Sequence, residues 1–212
     1  MFRLFLKILI FSSPFIILTS IYLIADPFLI LYTYDDFNKY SYIHKNRDYV
    51  STEMYQQNKD LYQYDSFIFG SSTALYISPS IWESHLCEDH SIFSFDASAE
   101  NIVGIWSKIK YLDKQNQIIK NAIIVIDPSV FSEFVNNVPI FMKHYDVFPS
   151  SKFNFHYHFF LSFLDLRFLA ALVHYKVTND FHPYMNNFLV TTNEFYDPKT
   201  NEYFNIGILN EL

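Results

Sequence analysis

The stretch that decides the fold runs over ten residues and reads Asp65-Ser66-Phe67-Ile68-Phe69-Gly70-Ser71-Ser72-Thr73-Ala74. Its apolar run predicts a short strand, which Gly70 ends. Two serines follow at once, at a turn that keeps a hydroxyl out of the core. A serine placed there can act as a nucleophile, and the N-terminus of a following helix would favour developing negative charge. It can also serve simply as the N-cap of that helix.

Two more runs predict strands. Residues 91–96 are rich in Ile and Phe and predict a second strand, and residues 122–126 form a wholly apolar run that is typical of a strand buried on both faces. Between these runs, residues 100–117 show apolar side chains at helical spacing, and Ser78-Pro79 marks a short helix start. This alternation predicts an α/β fold with a parallel sheet whose first strand lies in the middle.

The ends of the three predicted strands carry polar residues. They are Gly70-Ser71-Ser72, Asp96-Ala97-Ser98 and Asp127-Pro128-Ser129. In parallel sheets with helices on their faces, binding and chemistry gather at the carboxyl ends of the strands. We therefore predict a site at this edge of the sheet.

Composition excludes several classes of protein. The chain has 212 residues, half of them hydrophobic, which is enough for one domain with a proper core. Its net charge of −7, without a basic cluster, argues against a nucleic-acid partner. Cys87 is the only cysteine, so an intrachain disulfide and a cysteine-based metal site are both excluded. We see no Gly-rich phosphate loop and expect neither a cofactor nor a metal.

The N-terminus predicts a membrane anchor. Residues 8–25 are 18 uncharged residues, preceded by Arg3 and Lys7 and followed by Asp26-Pro27. A helix of this length reaches about 27 Å, close to the thickness of a bilayer core. The positive residues predict a cytoplasmic N-terminus, with the rest of the chain outside. A cleaved signal peptide is the alternative, but no Ala-x-Ala-like site stands near Ala25, which favours a retained anchor.

The remaining segments give a provisional division of the chain. We predict an anchor over residues 1–25, a connecting segment over 26–62 with a short helix near 46–53, and an α/β domain over 63–212. Residues 153–177 predict one long aromatic helix, either in the core, as a lid or on the membrane surface. Residues 178–212 show no periodicity. On a helix, His156 and His158 point apart, which argues against a metal site there. The isolated histidines are His144, His174 and His182, and a surface or hydrogen-bonded role is expected for them.

In order and spacing, these motifs resemble the SGNH hydrolases. Residues 69–74 resemble the first sequence block of that family, in the Gly-Ser-Ser variant found in membrane-anchored cell-envelope proteins such as the D-alanyl-lipoteichoic acid biosynthesis type. Residues 95–100 fall where the second block would fall, and residues 124–128 match the end of the third strand. The segments 46–53 and 108–113 also resemble recurring features of bacterial members. The resemblance covers about residues 1–180.

The resemblance implies a three-layer α/β/α sandwich and a bacterial envelope protein that hydrolyses or transfers ester-linked acyl groups on glycans or lipids. It implies that Ser72 is the nucleophile and that backbone N–H groups at Ala97 and Ser98 lie in the oxyanion region. Asp127 takes the third-block position, where it could orient a histidine or cap the turn before Pro128.

The sequence departs from the family pattern in three ways. No Asp-x-x-His occurs, Asp127-Pro128 stands where an Asn donor is expected, and Ala97-Ser98 replaces a Gly. A serine without a base is a weak nucleophile. Because family members are usually longer, we expect the domain to be incomplete at its C-terminus, with little or no esterase activity. The alternative is a non-catalytic envelope protein that binds a glycan or a partner through the same cleft; the sequence names no protein partner.

Overall fold

The protein, seen in a computed structural model, is a mixed α/β fold around a three-stranded parallel sheet. The structure describes residues 2–40, 42–87, 89–131, 133, 137–190 and 194–205. The α-helices are α1 (Phe2–Ala25), α2 (Arg47–Tyr62), α3 (Pro79–Glu83), α4 (Ile102–Lys114), α5 (Lys152–Phe163) and α6 (Leu166–Thr178). The strands are β1 (Ser66–Phe69), β2 (Ile92–Ser94), β3 (Asn121–Ile124), β4 (Glu194–Tyr196) and β5 (Tyr203–Asn205). Short 3-10 helices cover Ser72–Tyr76, Pro128–Phe131, Pro139–Phe141 and Pro183–Met185.

The sheet confirms the predicted strand order. Its order is β2-β1-β3, and both neighbours run parallel to β1. Phe67 of β1 lies opposite Phe93 of β2 and Ala122 of β3. The strands are shorter than the apolar runs, but hydrogen bonds extend the pairing, because Phe95 N–H donates to Ile68 O and Val125 N–H donates to Phe69 O.

The two faces of the sheet are covered differently. On one face the phenylalanines of β1 and β2 pack against α2 and α4, where Tyr55 stacks on Phe95 with ring centroids 5.5 Å apart. On the other face Ile68 and Ile92 form a smaller core with Trp82 of the five-residue helix α3. Burial of these aromatic rings supplies most of the driving force for folding this region. The full three-layer sandwich remains a prediction.

The expectation that the third run is buried on both faces is wrong. Ile124 is 43% exposed and Ile126 is 62% exposed. The structure makes β3 an edge strand, and the aromatic packing of α2 and α4 covers β1 and β2 without extending over β3 within the described residues. An apolar run shows that a strand is able to be buried. Whether the strand is buried depends on the elements that pack against it.

Polar side chains start the helices that hold the sheet. Asn46 Oδ1 accepts a hydrogen bond of 2.7 Å from Tyr49 N–H, and Asn101 Oδ1 accepts one of 3.0 Å from Gly104 N–H. Ser78 caps α3, as predicted, with Pro79 in the first turn. Helix α2 is longer than the predicted short helix, and the segment 26–62 contributes Phe28, Tyr49 and Tyr55 to the same core as the sheet.

The predicted long aromatic helix is two helices. Helix α5 ends at Phe163 and α6 begins at Leu166. Asp165 separates them, because its carboxylate oxygen Oδ1 accepts a 2.8 Å hydrogen bond from Arg167 N–H and so caps the first turn of α6. The expectation of a single continuous helix over residues 153–177 is therefore wrong, although both parts are helical.

Helix α1 is long and apolar enough to cross a membrane, by its length and composition, and among the described residues no other helix is. A signal sequence would have the same character. A core helix would not, since most of α1 is exposed. Its contacts with the rest of the fold include ring contacts, since Phe15 and Tyr22 lie against Phe160 of α5.

The C-terminal region contains a hairpin that the sequence analysis does not predict. Strands β4 and β5 pair antiparallel, and the turn between them lies against the outer edge of β2. There Ser94 N–H donates to Thr200 O at 2.8 Å, and Asn201 Nδ2 donates to Ser94 O at 2.7 Å. The hairpin turn thus covers an edge that would otherwise expose unpaired backbone groups. Residues 206–212 lie outside the described part of the chain.

Candidate functional site

The carboxyl end of the central strand carries a cluster of hydroxyl groups, which we call the serine edge and which comprises Ser71, Ser72, Thr73 and Asp127. Ser71 Oγ and Thr73 Oγ1 each donate a 2.5 Å hydrogen bond to Oδ2 of Asp127. The two hydroxyl oxygens lie 3.2 Å apart. Because β1 and β3 are neighbours, the segment after β1 reaches the aspartate that follows β3. Of the three strand ends that were predicted to meet at one edge, the first and the third are joined here by side-chain hydrogen bonds.

Gly70 is required by close packing at this edge. A Cβ at residue 70 would lie 2.9 Å from Val125 Cβ and 3.0 Å from Ala74 Cβ, closer than side-chain carbons approach one another. The absence of a side chain lets β1 and the segment after β3 come together. The same approach brings Asp127 within reach of Ser71 and Thr73.

Ser71 and Ser72 differ in their surroundings. Ser71 is buried and bound to Asp127, whereas Ser72 is exposed. Ser72 begins the 3-10 helix Ser72–Tyr76, and no described hydrogen bond engages its hydroxyl. Of the two serines, Ser72 is the one whose oxygen can meet a molecule in solution. This exposure fits the role that the resemblance implies for Ser72.

The expected α-helix after the serines is absent from this position. A 3-10 helix of five residues follows instead, and so short an element has too few aligned peptide groups for a substantial dipole. A helix dipole therefore does not favour negative charge at Ser72, contrary to the expectation from the sequence.

The oxyanion region that was predicted at Ala97 and Ser98 lies beside the serine edge through one backbone contact. Ala97 N–H donates to Gly70 O at 3.2 Å, so this N–H is already engaged in the sheet. Ser98 is half-buried and lies in a turn with Ala99, whose backbone has a φ of 49°. Of the two N–H groups, that of Ala97 is therefore already bonded, and the role of Ser98 as an oxyanion donor stays a prediction.

None of the eight histidines makes a described contact with Ser71 or Ser72. His90 pairs with Asp65 at the opposite, amino end of the strands, with Nδ1 2.9 Å from Oδ2. His174 lies against His182 and Tyr184. The serine edge thus has hydroxyls and a carboxylate but no imidazole within the described residues.

A second, buried arrangement of charges lies next to the end of β2. We call it the ionic cluster; it comprises three acidic and three basic side chains, Arg47, Asp48, Asp96, Glu100, Lys108 and Lys143, and each is at most 7% exposed. Formal charges cancel within it. Lys108 Nζ lies 2.7 Å from Glu100 Oε2 and 3.2 Å from Asp48 Oδ2, and Lys143 Nζ lies 2.5 Å from Glu100 Oε1. Arg47 pairs with Asp96.

The ionic cluster holds the backbone after β2 in place. Lys108 Nζ donates to the carbonyl oxygens of Phe95 and Asp96, at 3.2 and 3.0 Å. Ser51, which lies on α2, donates its hydroxyl to the carbonyl oxygen of Asp96 at 3.0 Å. Burial alone would raise the pKa of Asp48, but Lys108 and Lys143 outweigh it and lower that pKa to about 2. Opposite charges lie next to one another throughout the cluster, which indicates a structural role.

His144 is buried next to the ionic cluster, where its backbone N–H donates to Asp48 Oδ1 at 2.8 Å, and the following residue, Tyr145, lines a cavity. Asp146 N–H donates to Nδ1 of His144 at 3.1 Å, so Nε2 carries the proton and donates to Glu53 Oε1 at 3.1 Å. The cavity has a volume of about 750 Å³ and is lined by polar and aromatic side chains that include Tyr49, Glu53, Tyr145 and His156. Neither Ser71 nor Ser72 lines it. The expectation that His144 is a hydrogen-bonded residue is confirmed.

The ionic cluster and the Glu53–His144 pair are not predicted from the sequence. One local signal for the cluster exists, since Lys108 lies three residues after Ile105 and four before Leu112, on the apolar side of α4. A lysine in such a stripe needs a buried partner. No group of three or more His, Cys, Asp or Glu side chains that could hold a metal ion is found within the described residues. No family model, curated protein or solved structure gives a match to this chain.

Proposed function

We propose that the protein is a membrane-anchored, SGNH-like protein of a bacterial envelope. Its serine edge would take an ester-linked acyl group on an envelope glycan or lipid, with Ser72 as the nucleophile. One observation carries this proposal: Ser72 is exposed directly after the central strand, while its neighbours Ser71 and Thr73 are both held by Asp127. The clamp fixes the turn, so the Ser72 hydroxyl is presented by rigid backbone.

The proposed step is acyl transfer. Ser72 Oγ would form a bond to the acyl carbonyl carbon, and the bond from that carbon to the leaving oxygen would break. The serine proton would pass to the leaving alcohol through water or an added base, and the Ser98 N–H would donate to the oxyanion. General-base assistance is typically worth about 10²–10⁴-fold. Among the residues that the structure describes, no histidine makes a hydrogen bond to Ser72. We therefore expect little or no turnover from this chain.

A non-catalytic role is the second candidate, and the same missing imidazole favours it. In that case the serine edge would bind an acylated glycan or lipid, or a partner, without forming a covalent bond. Ser71, Thr73 and Asp127 would then matter as a rigid polar surface. Covalent labelling separates the two candidates.

A fluorophosphonate probe on the purified full-length chain tests the proposal. We expect weak labelling that disappears in Ser72→Ala and persists in Ser80→Ala, an exposed serine on α3 that serves as the matched control. Equal labelling of the wild type and Ser72→Ala would overturn the assignment of the nucleophile and favour the binding role. Strong labelling that depends on Ser72 would show that a base does reach it in solution.

The proposed topology has its own test. Arg3 and Lys7 precede the apolar stretch of α1, and this positive charge supports a cytoplasmic N-terminus with the α/β domain outside. Protease added to intact cells should therefore degrade the domain. Protection of the domain, or a soluble mature form that begins near Asp26, would contradict a retained anchor with this orientation.

A further inference from the structure

Helices α5 and α6 carry exposed apolar stripes on their outer faces. On α5 the stripe is Phe153, Tyr157 and Leu161, spaced four residues apart, so the three side chains lie on one side of the helix. On α6 the exposed stripe is formed by Leu166, Val173 and Val177. Leu166 and Val177 are each 79% exposed. Such faces are uncommon on a surface that meets only water.

Helix α5 packs directly on the apolar helix α1. The Phe160 ring lies between two rings of α1, with centroids 6.0 Å from Phe15 and 5.2 Å from Tyr22. The Phe163 ring lies 5.1 Å from that of Tyr22. The second half of α5 is therefore held beside the C-terminal half of α1.

This contact sets the depth of α5 if α1 spans a bilayer. Phe15 and Tyr22 are seven residues apart, or about 10 Å along the helix axis, and Phe160 contacts both. The span ends near Ala25, so Phe160 would lie roughly 10 Å inside that end of α1. Helices α5 and α6, which follow one another and together form a helical hairpin, would then lie in contact with the lipid leaflet around that end of α1.

The charges of the hairpin suit the boundary between lipid and water. At the turn, the guanidinium of Arg167 pairs with the Asp165 carboxylate through two contacts of 2.9 and 3.2 Å, which neutralises both groups. Lys152 stands at the start of α5, and Lys176 in the last turn of α6. Their ammonium groups lie over the rings of Tyr145 and Tyr42, 5.0 and 4.4 Å from the ring centroids. Side chains with an apolar stem and a charged end suit the boundary between lipid and water.

We infer that α5 and α6 form an interfacial hairpin, which inserts its apolar stripes into the leaflet where α1 ends. This inference rests on the membrane anchor of the proposed function and on no part of its chemistry. An amphipathic helix at an interface buries its apolar face about 5–10 Å into the headgroup and acyl boundary, which agrees with the depth set by Phe160. The hairpin gives the domain a second attachment to lipid and so fixes its tilt against the membrane.

Nitroxide labels on the full-length chain in lipid nanodiscs test this inference. In a Cys87→Ser background, single labels are placed at Tyr157→Cys, Leu161→Cys and Val173→Cys, with Lys110→Cys on α4 as the aqueous control and Ile17→Cys on α1 as the lipid control. The nanodiscs contain a mixture of phosphatidylcholine and phosphatidylglycerol. Collision rates with oxygen, which partitions into lipid, and with a water-soluble nickel chelate report the surroundings of each label, and circular dichroism checks that each labelled variant is folded.

We expect the three hairpin labels to resemble Ile17→Cys, with frequent oxygen collisions and loss of nickel collisions, and Lys110→Cys to show the reverse. Nickel collisions at the hairpin as frequent as those at residue 110, with residue 17 in lipid, would overturn the hairpin and leave the anchor intact. Infrequent collisions with both reagents at the hairpin would show that protein covers the stripes, which also overturns it. Nickel collisions at residue 17 would remove the anchor and the hairpin together.

Discussion

Lys108 Nζ lies 2.7 Å from Glu100 Oε2, and neither side chain is exposed to solvent. The pair joins the middle of α4 to the segment that leaves β2. Lys108 also donates to the carbonyl oxygens of Phe95 and Asp96. A single ammonium group therefore neutralises a buried carboxylate and holds the backbone that follows β2. Ala97, which follows Asp96, donates its N–H to the carbonyl oxygen of Gly70, which precedes Ser71. This hydrogen bond connects the ionic cluster to the serine edge.

Removal of the Lys108 charge should be costly. Lys108→Met keeps the length of the side chain but leaves the carboxylates of Glu100 and Asp48 short of a positive partner in the core. Breaking a buried ion pair in this way typically costs about 3–5 kcal/mol. We expect a loss of that order in the free energy of unfolding, measured by chemical denaturation of the detergent-solubilised chain.

Lys110→Met is the matched control, because Lys110 lies two residues further along the same helix and is exposed. Its effect should stay within about 0.5 kcal/mol. Equal effects of the two substitutions would show that the ionic cluster contributes no more than a surface lysine does.

The ionic cluster should make the protein sensitive to acid. The pKa of Asp48 is about 2 in the folded state, below its usual value near 3.8, because Lys108 and Lys143 outweigh the effect of burial. The stabilisation from the ionised carboxylate is thus fully present above pH 4 and is lost as the pH falls towards 2. It amounts to about 2 kcal/mol.

Unfolding free energies measured between pH 6 and pH 2 check this prediction. The slope below pH 4 should become shallower in Asp48→Asn, whatever that variant's stability at pH 6. Asp113→Asn, which alters an exposed carboxylate on α4, should keep the slope of the wild type. A slope unaffected by Asp48→Asn would contradict the lowered pKa.

Gly104 should resist a substitution that would stabilise most helices. In an exposed helix interior, Gly→Ala gains about 1 kcal/mol. At residue 104 an added Cβ would collide with the Glu100 carboxylate and lie 3.0 Å from Lys143 Cε. We therefore expect Gly104→Ala to lower the melting temperature. A double-mutant cycle with Glu100→Ala measures the coupling, and the cost of Gly104→Ala should shrink or reverse in that background. An unchanged cost would place the strain elsewhere.

Much of the fold follows from local patterns in the sequence. The three strands and the order of the sheet were predictable because apolar runs alternate with helical spacing. The caps at Asn46 and Asn101 act through neighbouring backbone N–H groups, so they too are local. The break at Asp165 has the same kind of signal, but it was hidden within a long aromatic stretch whose composition favours helix on both sides.

The ionic cluster could not be predicted in the same way. Asp48 and Lys143 lie 95 positions apart in the sequence, and only the packing of α2 against the segment before α5 brings them together. The distinction between Ser71 and Ser72 is also tertiary, since it depends on Asp127 reaching across from β3. The exposure of Ile124 depends on which elements cover the edge strand β3. The residues of the strand itself do not predict those elements.

Substitutions at Ser71 and Ser72 distinguish a structural role of a serine from a reactive one. Ser71→Ala removes a buried donor to Asp127 and leaves the carboxylate with the Thr73 hydroxyl, so we expect a loss of about 1–2 kcal/mol in the free energy of unfolding. Ser72→Ala removes an exposed hydroxyl with no described partner, and the stability of this variant should match that of the wild type within about 0.5 kcal/mol.

Thermal unfolding and probe labelling of both variants give four measurements. If Ser72 is the nucleophile, its variant loses labelling at unchanged stability, whereas the Ser71 variant loses stability first and labelling only through displacement of the turn. A Ser72→Ala protein that is as destabilised as Ser71→Ala would mean that Ser72 has a structural contact in solution, and its selection as the reactive serine would then fail.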